Sequence, residues 1–334
     1  MFPKRVDAPR GRFSPGVAVR TQSDGGGQPG STGTVVGVTA GVISAITEPK
    51  MIPPTPRVGA SVSAPLADAE QAAVLLAGRR VVALTGAGLS TDSGIPDYRG
   101  PGSPPRSPMT YDEFVSGIRA QQRYWARSHI GWQRMGLAQP NRGHLAMATL
   151  ERAGAVTDLI TQNVDGLHRQ AGSRAVIDLH GRIDEVICLG CRSISSRREL
   201  HERLTELNPE HGHPGSAATA PDGDVELEET AGFALAGCSR CPGALKPHVV
   251  FFGENVPRDR VDRCYRAVDA AEALLVAGSS LTVMSGLRFV RHAARRGIPV
   301  VIVNRGVTRG DPVATARIDA GCSETLTSLA ELLS

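Results

Sequence analysis

The chain has 334 residues, 41% of them hydrophobic and 21% charged, with a formal net charge of +4. That length suits one large domain with an insertion, or two domains. It holds no apolar run near the roughly 18 residues of a spanning helix, and its charges of both signs are mixed through the body, so composition makes no case for a membrane or for specific nucleic-acid binding.

Residues 1–65 are rich in Gly, Pro, Ser, Thr and Val, without a helical period. Too little apolar surface is available there to offset the entropy of ordering, which predicts a disordered tail. The start of the chain is Arg-rich but is interrupted by Asp7 and by several Pro and Gly. It lays out neither a signal peptide nor an amphipathic presequence, so a cytoplasmic location is expected. Met51 falls inside the tail and is a candidate downstream start.

From Leu66 to Leu76 apolar residues recur at helical spacing, with Asp68 placed to serve the first turn. Val81-Val82-Ala83-Leu84 then reads as a buried strand. Further buried-strand candidates are 158–161, 175–179, 249–252, 273–277 and 299–303, with helical patterns at 143–152, 260–271 and 284–296. Strands alternating with helices predict an α/β fold with a Rossmann-like, doubly wound parallel sheet. The stretch from Cys188 to Cys241 is polar, turn-rich and unlike the rest, and it includes an acidic segment over 221–229 that reads as a surface loop.

Chemistry concentrates at the strand ends. Thr85-Gly86-Ala87-Gly88-Leu89-Ser90 follows the first strand. Glycines in such a turn let backbone N–H groups approach a pyrophosphate, although a plain tight turn reads equally well from these residues alone. Gly94-Ile95-Pro96 then breaks any helix and projects Asp97, Tyr98 and Arg99 beside that turn. Gln162, Asn163 and Asp165 follow a second strand, at the end where ligands bind in open α/β sheets. His180 follows a third; it is either a structural hydrogen-bonder or, at the mouth of a crevice, a general base. Cys188-x-x-Cys191 and Cys238-x-x-Cys241 supply four thiolates, which suit a closed, structural tetrahedral zinc. A pair of redox dithiols is the rival reading. The long gap between the pairs makes this a zinc ribbon with a large insertion.

Taken in order, these segments resemble the sirtuin family. The resemblance rests on Gly86-Ala87-Gly88, Gly94 to Arg99, Gln162-Asn163-Val164-Asp165, His180-Gly181, both Cys pairs, Lys246 to Glu254, Gly278-Ser279-Ser280-Leu281 and Asn304, and it spans roughly Leu66 to the C-terminus. It implies a catalytic domain over 66–334: an NAD-binding lobe from 66–100, 141–181 and 245–334, a helical insertion over 101–140, and a smaller zinc lobe over 182–244. The implied activity is NAD-dependent removal of acyl groups from protein lysine, with nicotinamide, O-acyl-ADP-ribose and free lysine as products. The resemblance gives His180 the role of general base on a ribose hydroxyl. It gives Gln162, Asn163 and Asp165 the nicotinamide end, with Asn163 counted as catalytic. Gly86, Ala87, Gly88, Ser90, Asp97, Tyr98, Arg99, Gly278, Ser279, Ser280, Asn304, Gly306 and Cys322 become further NAD contacts. A turn role for Asn304 before Gly306 remains a rival.

Val249, Phe251, Gly253 and Glu254 resemble the substrate-binding segment, where an acyl-lysine peptide adds as a strand; an ordinary core strand accounts for the first half equally well. His248 stands where the family commonly has an acid or amide, which leaves substrate register open. Gln122 to Arg127 and Lys246 to Phe252 look most like the class II branch, which includes an animal mitochondrial member, and the source looks bacterial. Tyr124 and Arg127 lie one helical turn apart and resemble a pair that reads acidic acyl groups; helix packing by Tyr124 and a solvated Arg127 is the simpler alternative. Protein ADP-ribosyl transfer or NAD hydrolysis would use the same site, and a non-catalytic NAD sensor is the remaining class. The protein target, the acyl group and the oligomeric state are not legible.

Overall fold

A computed structural model of the chain describes residues 67–100, 107–211, 221–222 and 230–334. The expected tail over 1–65, most of the acidic loop and the start of the helical insertion lie outside the described residues.

Helix α1 (Ala69–Leu76) is capped by Asp68, whose side chain accepts from Gln71 N at 2.8 Å. Strand β1 (Val81–Thr85) is buried at every position, as expected of a strand covered on both faces. After two short 3-10 turns, α2 (Tyr111–Val115) and α3 (Ile118–Met135) form the helical insertion. Helix α4 (Arg142–Arg152) starts at Asn141 in a capping box with His144. It leads to β2 (Val156–Thr161), the short α5 (Leu167–Gln170) and β3 (Val176–Asp178). Next come β4 (Gly181–Cys188), β5 (Ile194–Ser196), α6 (Arg197–Leu207) and β6 (Leu245–Val249). The chain closes with α7 (Arg258–Ala270), β7 (Ala273–Ala277), α8 (Met284–Arg295), β8 (Val300–Val303), β9 (Ala316–Ile318) and α9 (Cys322–Leu333).

Six strands form one sheet in the order β3-β2-β1-β7-β8-β9, every pairing parallel. The order reverses between β1 and β7, so a crevice opens beyond their C-terminal ends. One sheet face packs on α1, α4 and α9 through Leu76, Met147, Leu150, Leu326 and Leu329. The other packs on α7 and α8 through Cys264, Val268, Leu287, Phe289 and Val290. Cys264 is therefore an apolar core residue.

A second, three-stranded antiparallel sheet, β5-β4-β6, belongs to the smaller lobe. Its core joins Ile183, Val186, Leu200, Leu204 and Phe233 to Phe114, Tyr124 and Trp125 of the helical insertion. Arg197 is wholly buried there, its guanidinium 5.1 Å from the ring centroids of both Trp125 and Trp132. Such stacking partly offsets the desolvation of the charge.

Two sequence expectations change here. The apolar run 249–252 is not a strand of the parallel sheet. Only Val249 is in a strand, the last residue of β6, and Val250 onward turns away as loop. An apolar run of this length does not reveal which sheet receives it. The stretch between the Cys pairs is also not all turn, since it contains the eleven-residue α6.

Candidate active site

A cavity of about 720 Å³ occupies the crevice. Its floor is two turns in contact. Gly86 N donates to Ala277 O (3.0 Å), and Gly88 N donates to Gly278 O (2.8 Å). A Cβ on Gly86 would stand 2.7 Å from Gly278 O. Gly278 has φ +67°, and a Cβ on it would strike the Leu89 nitrogen. Both turns thus need glycine, Gly86 for close approach and Gly278 for close approach and left-handed backbone together.

Above this floor a polar chain crosses from β1 to β2. Asn163 Nδ2 donates to Gly86 O and to Ser90 Oγ, each at 3.0 Å. Ser90 Oγ donates to Asp165 Oδ2 at 2.7 Å, and Leu167 N donates to Asp165 Oδ1 at 2.9 Å. Burial pushes the Asp165 carboxyl above its ordinary range, and these two hydrogen bonds oppose the shift. Gln162 Nε2 donates to Ser279 Oγ at 2.7 Å, which ties β2 to the β7 turn.

His180 lines the same cavity. Its Nδ1 lies 2.9 Å from the Gln162 carbonyl, and its Nε2 lies 2.8 Å from Ser285 Oγ. Burial pulls its pKa from 6.5 down to about 4; the Gln162 carbonyl works against this, while Arg260 and Arg288 add to it. The imidazole is therefore neutral at pH 7, below the near-neutral range that a strand-end histidine suggests.

The substrate-like segment borders the cavity. Val249, Phe251, Gly253 and Glu254 all line it. Lys246, 2% exposed, pairs with Glu254 at 2.9 Å and also donates to the Val249 carbonyl. Glu254 in turn accepts from Phe251 N at 2.9 Å. This half-buried ion pair and its hydrogen bonds tie Lys246, Val249, Phe251 and Glu254 into one loop shape. His248 Nδ1 lies 2.8 Å from Glu185 Oε2 on β4, so the residue at the unusual position joins two strands of the small sheet.

Most of the expected NAD contacts come together. Gly86, Ala87, Gly88, Ser90, Asp97, Tyr98, Arg99, Gln162, Asn163, Asp165, Gly278, Ser279, Ser280, Asn304 and Cys322 all line the one cavity. Gly306 does not; its neighbours Arg305 and Val307 do. With φ +80° it shapes the turn instead. Asn304 Nδ2 donates to the carbonyls of Arg305 (2.8 Å) and Gly306 (3.2 Å), so its turn role is present alongside its place in the lining. Tyr124 is 5% exposed, packs edge-on to Phe114 and lines the cavity. Arg127 is not part of the lining, so one helical turn did not carry it to the same place. Sequence reasoning missed Ser285, Arg288, Met109 and Ile183, which also line the cavity. Ser285 lies 105 positions from His180, and no local spacing connects them.

The four sulfurs of Cys188, Cys191, Cys238 and Cys241 lie within 4.8 Å of one another. Cys188 and Cys241 are 3.4 Å apart, Cys191 and Cys238 3.8 Å. Tetrahedral zinc with bonds of about 2.3 Å separates its sulfurs by about 3.8 Å, so the set fits one structural zinc. Gly243 lets the knuckles close, since a Cβ there would stand 2.7 Å from Cys188 Sγ.

The Sir2 family model matches residues 86–285. A protein of Mycobacterium avium (strain 104), NAD-dependent protein deacetylase 1, is 58% identical over 272 residues, covering 80% of this chain and 96% of the relative. NAD-dependent protein deacetylase 1 of Streptomyces coelicolor is 52% identical over 274 residues, covering 81% and 89%. Among solved structures, a Sir2 complex with a p53 peptide and NAD+ is 31% identical with TM-score 0.64, covering 79% of this chain and 98% of that one.

Proposed function

Because the chain belongs to the Sir2 family, with NAD-dependent protein deacetylases as its relatives, we propose that it is an NAD-dependent deacylase acting on acyl-lysine in proteins. One observation carries the reading: His180, neutral and with its tautomer set by the Gln162 carbonyl, shares a single cavity with the paired glycine turns and with the Val249–Glu254 edge.

The cavity's donors suit NAD. The Gly86–Gly88 and Gly278–Ser280 turns would hold its phosphates and a ribose, with Asn304 and Cys322 toward the adenosine. Gln162, Asn163 and Asp165 would hold the nicotinamide end. When bound, NAD supplies the scissile nicotinamide–ribose bond and the ribose that receives the acyl group. The protein's part is to orient, to dry and to move one proton. Ile95, Ile183 and Phe251 line the cavity and exclude water. His180 Nε2 accepts the proton of a ribose hydroxyl, a step worth typically ~10²–10⁴-fold. Val250 N donates to His180 O, and Tyr111 N donates to Phe252 O. A peptide strand would therefore use the remaining backbone groups near Phe252 and Gly253. The apolar lining by Met109, Tyr124, Ile183 and Phe251, without Arg127, supports neutral acyl groups over acidic ones. The zinc holds the small lobe and takes no part in the chemistry.

The test is purified protein with NAD and a panel of acyl-lysine peptides, following nicotinamide and peptide mass together, with His180→Ala alongside. Acyl loss matched by nicotinamide release, and abolished in the variant, is the expected result. Nicotinamide release with an unchanged or ADP-ribosylated peptide would assign NAD hydrolysis or ADP-ribosyl transfer instead.

A further inference from the structure

His180 is engaged at both ring nitrogens. The Gln162 carbonyl can only accept, so Nδ1 carries the ring hydrogen and Nε2 holds the lone pair. The Ser285 hydroxyl, 2.8 Å from Nε2, therefore donates to it in the resting protein. Ser285 stands in the first turn of α8. Its neighbour Gly286 lets that turn come close to Gln162, because a Cβ there would stand 2.6 Å from Gln162 Oε1. The Ser285-Gly286 pair is thus fitted both to the imidazole and to the residue that orients it.

The surroundings resist a charged imidazole. Burial disfavours it first, and Arg260 on α7 and Arg288 on α8 repel it. Both ring nitrogens are satisfied without a carboxylate. A base in this setting gains from a neighbour that serves the neutral ring and the protonated ring alike. A serine hydroxyl does so without moving its heavy atoms, since it can donate or accept.

We propose that Ser285 is a positioning residue for His180, an inference that rests on reading His180 as the base. At rest Ser285 donates to Nε2 and fixes the direction of its lone pair. When NAD is bound Ser285 turns its hydrogen away, which leaves the single Nε2 lone pair to the ribose hydroxyl; Nε2 takes that proton, the lone pair becomes the N–H bond and the hydroxyl oxygen keeps its electron pair for attack. Ser285 Oγ, its own hydrogen already turned away, then accepts from the new Nε2–H. Cleavage of the nicotinamide–ribose bond precedes this proton transfer and needs Ser285 less.

Ser285→Ala and Ser285→Thr separate this role from a structural one. In the full chain with NAD and an acyl-lysine peptide, acyl loss is compared with exchange of labelled nicotinamide into NAD. In Ser285→Ala the ratio of acyl loss to exchange falls roughly three- to tenfold, the scale of one hydrogen bond. In Ser285→Thr, which keeps the hydroxyl, it recovers to within about twofold. Equal loss of both rates, or an unchanged ratio, overturns the proposal. A second readout needs no turnover: ¹⁵N NMR of the His180 ring shows the Nε2 resonance moving to that of an unbonded lone pair in the Ala variant and returning in the Thr variant. An Nε2 resonance unchanged by loss of the hydroxyl also overturns it. Wild-type protein that removes no acyl group would refute the proposed function, and the ring resonance would still decide whether Ser285 holds His180.

Discussion

Acidification from pH 7 to pH 5 destabilises this fold through histidines that are buried neutral. His144 is 0% exposed, and burial pulls its pKa from 6.5 to about 4. Between those values the unfolded chain binds a proton that the folded protein refuses, so stability rises with pH. The contribution is fully present above pH 6.5 and is lost as pH falls toward 4. Applying linkage to the two values gives a loss of about 2 kcal/mol from this residue between pH 7 and pH 5. His129 and His180 are also held at about 4, chiefly by burial, and each adds an amount of the same order. His168 is likewise pushed well below its ordinary value by burial and by His144, whose ring centroid lies 4.9 Å from its own. Urea unfolding at the two pH values measures the total, and histidine NMR of the folded protein isolates it from any protonation of the metal thiolates. The buried rings keep neutral-imidazole shifts down to pH 5. Titration of the His144 ring near pH 6.5, or equal stability at both pH values, would refute the reasoning.

Removing the metal is expected to release one zinc per chain and to lower the melting temperature, because the small lobe's core is shared among short elements. A chelated protein with unchanged melting and retained peptide binding would contradict the structural assignment of the four thiols. Gly278→Ala combines positive φ with a clash against the Leu89 nitrogen and should weaken NAD affinity at least ~tenfold, whereas Gly306→Ala meets no atom within 4 Å and costs only strain of about 1–2 kcal/mol; calorimetric NAD binding and melting of the two variants test the contrast.

The sites at the ends of the parallel strands were legible because the same local feature marks them all. A short apolar run stops at a glycine or polar residue, and the crevice lies where it stops. Strand β7 matches its expected bounds, and β1 extends only to Thr85. Legibility failed where position depends on distant chain. Helix α6 opens Arg-Arg-Glu and keeps only Arg197, Leu200 and Leu204 buried, a stripe too thin to stand out among charges. Val250 to Phe252 carries the composition of a core strand but serves as cavity wall. The shifted titration of His180 comes from burial, and its contact with Ser285 from the arrival of α8, neither of which a window around residue 180 contains.

The chain passes from the large sheet to the small one at His180-Gly181 and leaves the small sheet at Val249-Val250. These two passages are bound to each other: Val250 N donates to His180 O at 2.8 Å, and Gly181 pairs with Val249. His180 and the start of the Val249–Glu254 segment therefore sit at one junction of the two sheets. The segment between the cysteine pairs reaches back to this junction's site, because its Pro221 and Asp222 line the cavity while its Leu200, Leu204 and Phe233 fill the small lobe's core, so a change of length there would be felt at the cavity wall.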